Sequence, residues 1–114
     1  MRKYALLEKP FGKTRKVMLY QSDDGTYLFL YNNTHKDSPG FADYWFETLE
    51  DAQAAAIEYN IAKDEWINID DPLPDCQQDI ITPIRIKGRN ARKPQWGRYE
   101  KLVNGEWIDF TFAS

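Results

Sequence analysis

Three features of this chain predict an α+β fold: a mostly antiparallel sheet of five to seven strands with one principal helix. Two dipeptides, Asp24-Gly25 and Asn104-Gly105, each lie between runs of alternating apolar and aromatic residues, the sequence signature of a β-hairpin. One stretch, about 49–60, repeats its apolar residues at helical spacing instead. The length of 114 residues suits a single domain spanning 1–114, with 42% apolar side chains to build a core and no need of disulfide or metal.

Taken in order, Lys3 to Glu8 reads as a short strand ended by the turn formers around Pro10 and Gly12. Arg15 to Gln21 and Thr26 to Tyr31 flank Asp24-Gly25. A two-residue loop at that dipeptide sets Leu19 opposite Leu30 and Gln21 opposite Leu28. Alternation then collects Val17, Leu19, Leu28 and Leu30 on one face and Met18, Tyr20, Tyr27, Phe29 and Tyr31 on the other. Such a sheet has few polar positions on either side, so each face is either covered or a contact surface.

Asn32 to Gly40 is a polar loop. Asp43 to Glu47 alternates as a strand with Tyr44 and Phe46 on one side and Trp45 on the other. Thr48 is placed to cap a helix, because its hydroxyl can accept from the Asp51 backbone N–H. Leu49, Ala52, Ala56 and Tyr59 form the apolar stripe of that helix, and Asn60 suits the left-handed residue that ends it. The small alanines favour close packing on the aliphatic face of the first hairpin. Glu65 to Ile69 is a strand candidate, and Pro72 and Pro74 break regular structure. Ile84 to Lys87 alternates strictly.

At the C-terminal end, a two-residue loop at Asn104-Gly105 pairs Leu102 with Trp107, Lys101 with Ile108, Glu100 with Asp109 and Tyr99 with Phe110. One face of this hairpin (Tyr99, Val103, Ile108, Phe110, Phe112) reads as core. The other, with Glu100, Leu102, Trp107 and Asp109, mixes tryptophan and charge. Glu100 opposite Asp109 is the weak point of the register, since facing like charges destabilise a pair.

The net charge of −3 hides an uneven distribution. Residues 1–16 carry six basic side chains against Glu8, residues 17–84 carry fourteen acids against Lys36 and Lys63, and the remainder sums to +4. No apolar run approaches the roughly 20 residues of a membrane helix, so no membrane contact is expected and a cytoplasmic address fits best.

Few groups could carry chemistry. His35 and Cys76 are the only histidine and cysteine, too few for a zinc site, so neither metal nor cofactor is expected. The acids Asp70, Asp71 and Asp75 lack the glycine and alternation of a calcium loop. With Asp64, Glu65 and Asp79 they are the candidate acid and base groups of an enzymatic site, the third-ranked reading, ahead of a Cys76–His35 nucleophile pair. Arg85, Lys87, Arg89, Arg92, Lys93 and Arg98 form a basic strip with no acid between Ile80 and Tyr99, leading to Trp96. Arginines beside aromatics can hold phosphates and stack bases, which makes a nucleic-acid-binding domain the second reading. Trp96-Gly97-Arg98 resembles the name-giving tripeptide of the WGR domain; the likeness covers those three residues and implies nothing further.

The surplus of aromatics, the segregated charge and the absence of a catalytic group set favour a non-enzymatic protein-binding module. Small bacterial adaptor, immunity and assembly proteins have a similar size and make-up. The expected partner is another protein or a second copy of the chain. Tyr20, Tyr27, Phe29, Tyr31, Trp96 and Trp107 are the expected contact residues, because large rings with a polar edge dominate interface hot spots.

Overall fold

The computed structural model describes residues 1–112. Among them run β1 (Arg2–Phe11), β2 (Thr14–Ser22), β3 (Gly25–Tyr31), β4 (Ala42–Phe46), α1 (Leu49–Ala56), β5 (Ile67–Ile69), β6 (Ile84–Ile86), β7 (Tyr99–Val103) and β8 (Glu106–Phe110). The class is α+β, with the strands shared between two antiparallel sheets in the orders β4-β3-β2-β1-β5 and β6-β7-β8. Internal contacts gather the chain into two compact units. The first holds Met1–His35 and Pro39–Asp71, the second Lys36–Ser38 and the chain from Pro72 onward.

In the first unit β1 is longer than its sequence suggests. It continues through Pro10 to Phe11, which pairs with Thr14, by way of an irregularity between Leu6 and Phe11. Proline is tolerated there because the ladder is already interrupted.

The β2–β3 hairpin forms, but its register differs from the sequence expectation. Leu19 faces Leu28, Val17 faces Leu30 and Gln21 faces Thr26, so the two loop residues are Asp23-Asp24 instead of Asp24-Gly25. Neither aspartate has a positive φ, as a type I′ turn would require. Ser22 first and Gly25 fourth is the composition of a type I turn. The Ser22 hydroxyl fixes it, donating to the Asp24 carboxylate and, at 3.0 Å, to the Gly25 carbonyl. Each residue's partner moves by two positions, an even shift, so the expected division into aliphatic and aromatic faces survives.

Helix α1 starts as expected, with the Asp51 N–H donating to Thr48 Oγ1 at 3.1 Å. Beyond Ala56 the chain tightens into a 3₁₀ turn, Ile57–Tyr59, and stops at Asn60, whose φ of 55° is left-handed. Ala52 and Ala56 are buried against Ala5, Val17, Leu19, Leu28 and Leu30, with Phe46, Tyr59 and Trp66 closing the margin. The small side chains let the helix sit close on the aliphatic face.

Cross-strand register arranges the other face in rows. One row, at the end of the sheet nearest the β2–β3 turn, runs Ile69, Arg2, Tyr20, Tyr27, Trp45 across all five strands. The next runs Ile67, Tyr4, Met18, Phe29, Asp43, and a third sets Leu6, Lys16 and Tyr31 side by side.

In the second unit β7 and β8 pair in the expected register around Asn104 and Gly105, whose φ values of 51° and 82° are those of a type I′ turn. β6 adds on the far side of β7, and Ile84 and Ile86 are buried. Lys87 N–H donates to the Arg98 carbonyl at 2.9 Å and Gln95 N–H to the Lys87 carbonyl at 2.8 Å, closing the 88–97 loop at its base.

Candidate functional site

The face of the first sheet that the sequence marks for docking is mostly interior. Met18 and Tyr31 are completely buried and Phe29 nearly so, which corrects the expectation of Phe29 and Tyr31 as contact residues. Tyr31 is held by specific contacts. Its hydroxyl donates to Met18 Sδ at 3.6 Å, and Lys16 Nζ lies 4.3 Å from its ring centre while donating to the His35 carbonyl. Alternation assigns residues to faces and is silent on how far each face is covered.

What remains accessible is the row by the turn. Tyr20 and Tyr27 are half-buried, with ring centres 6.3 Å apart and nearly parallel, and Tyr27 stacks in turn on Phe29 at 5.5 Å. Trp45 completes the row from β4 and is 50% exposed. Its indole lies across Gly25, where a Cβ would come within 2.3 Å of Nε1. Glycine is needed there on two counts, for the space and for a φ of +147°. Trp45 is a site residue that sequence reasoning left out: alternation separated it from Tyr44 and Phe46, but only its pairing with Tyr27 puts it on the aromatic face.

The row is rimmed by acid. Asp23, Asp24, Asp43 and Glu47 are exposed and make no ion pair among the described residues. β3, β4 and α1 contain no lysine or arginine at all. The pKa of the Tyr20 hydroxyl is raised above the ordinary tyrosine value first by desolvation and then by Asp71, which lies outside this rim, with Arg2 opposing and Asp23 and Asp24 adding least.

The basic strip of the second unit divides in two. Arg85 Nε donates to Glu100 Oε1 at 2.8 Å, both side chains only 13% exposed, and its guanidinium carbon lies 3.7 Å from the Trp107 ring centre. Lys87 Nζ donates to Asp109 Oδ1 at 2.6 Å. The Glu100–Asp109 repulsion is therefore relieved by two cations from β6 and its end, with no bulge. Arg85 and Lys87 are engaged within the sheet, Trp107 lies under Arg85, and Arg89 stands 3.9 Å from Asp75. Arg92, Lys93 and Arg98 remain exposed on the 88–98 loop, as does Trp96 at 77%. The acids that quench the strip, Glu100 of β7, Asp109 of β8 and Asp75 ahead of β6, all lie outside the acid-free window that suggested it.

The acidic run is likewise distributed. Asp71 pairs with the Met1 amino group at 2.9 Å and the Asp70 carbonyl accepts from Arg2 Nε at 2.9 Å, whereas Asp75 belongs to the second unit. Among the described residues no three His, Cys, Asp or Glu side chains gather as a metal site would need. His35 is exposed, and Cys76 is half-buried with its backbone bridged to Arg85. No helix among the described residues is long and apolar enough to cross a membrane.

No protein-family model, curated protein or solved structure matches this chain.

Proposed function

We propose that the chain is a non-catalytic protein-binding module that engages its partner through Tyr20, Tyr27 and Trp45. The observation that carries this reading is the half-exposed Trp45, its indole seated on Gly25 and in register with two stacked tyrosines across the sheet. A tryptophan held in place has little entropy left to lose on binding, and rings with a polar edge tolerate both the free and the bound state. The cytoplasm is the compartment we assign, on the lone cysteine and the charged surface.

The test is affinity capture from the source cells with the full chain, with Trp45→Ala and with Tyr20→Ala. A protein retained by the wild type and lost with either variant, at unchanged thermal stability, supports the reading. An identical set of retained proteins with all three refutes it.

A second reading, nucleic-acid binding, draws support from the 88–98 loop, where Trp96 and three cations that make no ion pair among the described residues, Arg92, Lys93 and Arg98, are exposed with no acid between them. Arginine with an aromatic neighbour is the grammar of single-strand recognition. It ranks second because Arg85, Lys87 and Arg89 face carboxylates of their own unit.

A further inference from the structure

β4 is an edge strand: it is hydrogen-bonded to β3 on one side, and among the described residues no strand follows it in the sheet order. Proteins blunt such edges with lysine, proline or a bulge, because unpaired N–H and C=O groups recruit further strands. Ala42–Phe46 has none of these devices, and Tyr44 and Trp45 are half exposed along it. Alternation sets Asp43 and Trp45 on one face of this edge, Glu47 follows its last residue, and Gly25 beneath the indole brings the Asp23-Asp24 turn beside Trp45. Among the described residues these four exposed carboxylates make no ion pair, and β3, β4 and α1 carry no basic side chain.

We infer that the β4 edge takes an extended basic segment of a partner protein, added as a further strand, with its arginine or lysine side chains set over Trp45 and among Asp23, Asp24, Asp43 and Glu47. The inference rests on the protein-binding reading and specifies the partner's chemistry. Main-chain pairing supplies affinity in this mode, and alternate side chains supply selectivity. A cation over tryptophan, the best ring for the purpose, satisfies the second requirement while the carboxylates steer the approach.

The experiment records amide spectra of the full chain with three synthetic peptides. One alternates arginine with valine and threonine; the second replaces arginine by glutamate; the third keeps arginine but has proline in place of the β-branched residues. The first should shift the amides of Ala42–Phe46 and lose affinity as salt rises, and the other two should not bind. Asp23→Asn, Asp43→Asn and Glu47→Gln together should weaken the first peptide about 10-fold, since exposed pairs contribute a few tenths of a kcal/mol each. The inference is overturned by an undisturbed β4 with the first peptide, by equal binding of the glutamate peptide, or by equal binding of the proline peptide, which cannot join a ladder. A concentration-dependent dimer with protected β4 amides would overturn it too, giving the edge to a second copy. If Trp45→Ala abolishes capture of a protein while the arginine peptide leaves β4 untouched, the binding reading stands and this inference alone falls.

Discussion

Replacing Arg85 by methionine should destabilise the β6-β7-β8 sheet by about 2–4 kcal/mol. The magnitude follows from three contacts. The bond to Glu100 at 2.8 Å is charge-assisted and, with both side chains 13% exposed, poorly replaced by water, so its loss costs roughly 1.5–3 kcal/mol. The guanidinium at 3.7 Å from the Trp107 ring contributes about 0.5–1 kcal/mol. Without Arg85, Glu100 also faces Asp109 with only Lys87 to moderate the pair, which adds a few tenths of a kcal/mol. Native-state hydrogen exchange at the β7 and β8 amides reads the stability of this sheet separately from the first unit. Adding Glu100→Leu to Arg85→Met should recover most of the loss, because removing both members of a shielded pair leaves no uncompensated charge. A single variant costing less than about 0.5 kcal/mol, or a double variant costing the sum of the two singles, would refute this account of the charged face.

Tyr31→Ala should lower stability by about 3–5 kcal/mol, the cost of emptying a fully buried aromatic site, whereas Tyr20→Ala on the half-buried row should cost far less; equal melting temperatures would contradict the division of that face. Gly25→Ala should cost about 1–2 kcal/mol from its φ and displace the Trp45 indole, visible as a red shift in tryptophan emission; an unshifted spectrum would show that the indole does not depend on that glycine. The Tyr59 hydroxyl is pushed up to about 12, first by desolvation and then by Glu58, so the folded state binds its proton more tightly than the unfolded state and stability falls as pH rises from 10 through 12. Tyr59→Phe should flatten that alkaline decline, and an unchanged pH profile in urea titrations would argue against the shift. For nucleic acid, Arg92, Lys93 and Arg98 are the informative sites: each phosphate contact removed should lower the salt dependence of single-strand binding by about 0.7, while Arg85→Met should leave it unaltered unless the sheet unfolds.

The local elements follow from residues close together along the chain. Asn104-Gly105 set its turn and register because positive φ at two successive residues is a requirement internal to that dipeptide. The helix, its Thr48 cap and its Asn60 terminus were equally legible, since capping joins groups three or four residues apart. So was the division of the first hairpin into two faces, which depends only on parity. The β2–β3 register was not, because the Ser22 hydroxyl and the Trp45 ring both act on that turn, and the second comes from a strand twenty residues away. Tertiary structure alone decided which aromatics are core and which are surface. Tyr20, Tyr27, Phe29 and Tyr31 share one face and one chemistry, yet Tyr31 is wholly buried and Tyr27 half exposed, a difference set by what packs on each row. The same holds for the basic strip. Arg85 and Arg92 look alike along the chain, and only strand pairing, which sets Glu100 beside Arg85, makes one a structural cation and leaves the other to solvent, since burial and counter-charge are properties of neighbours in space.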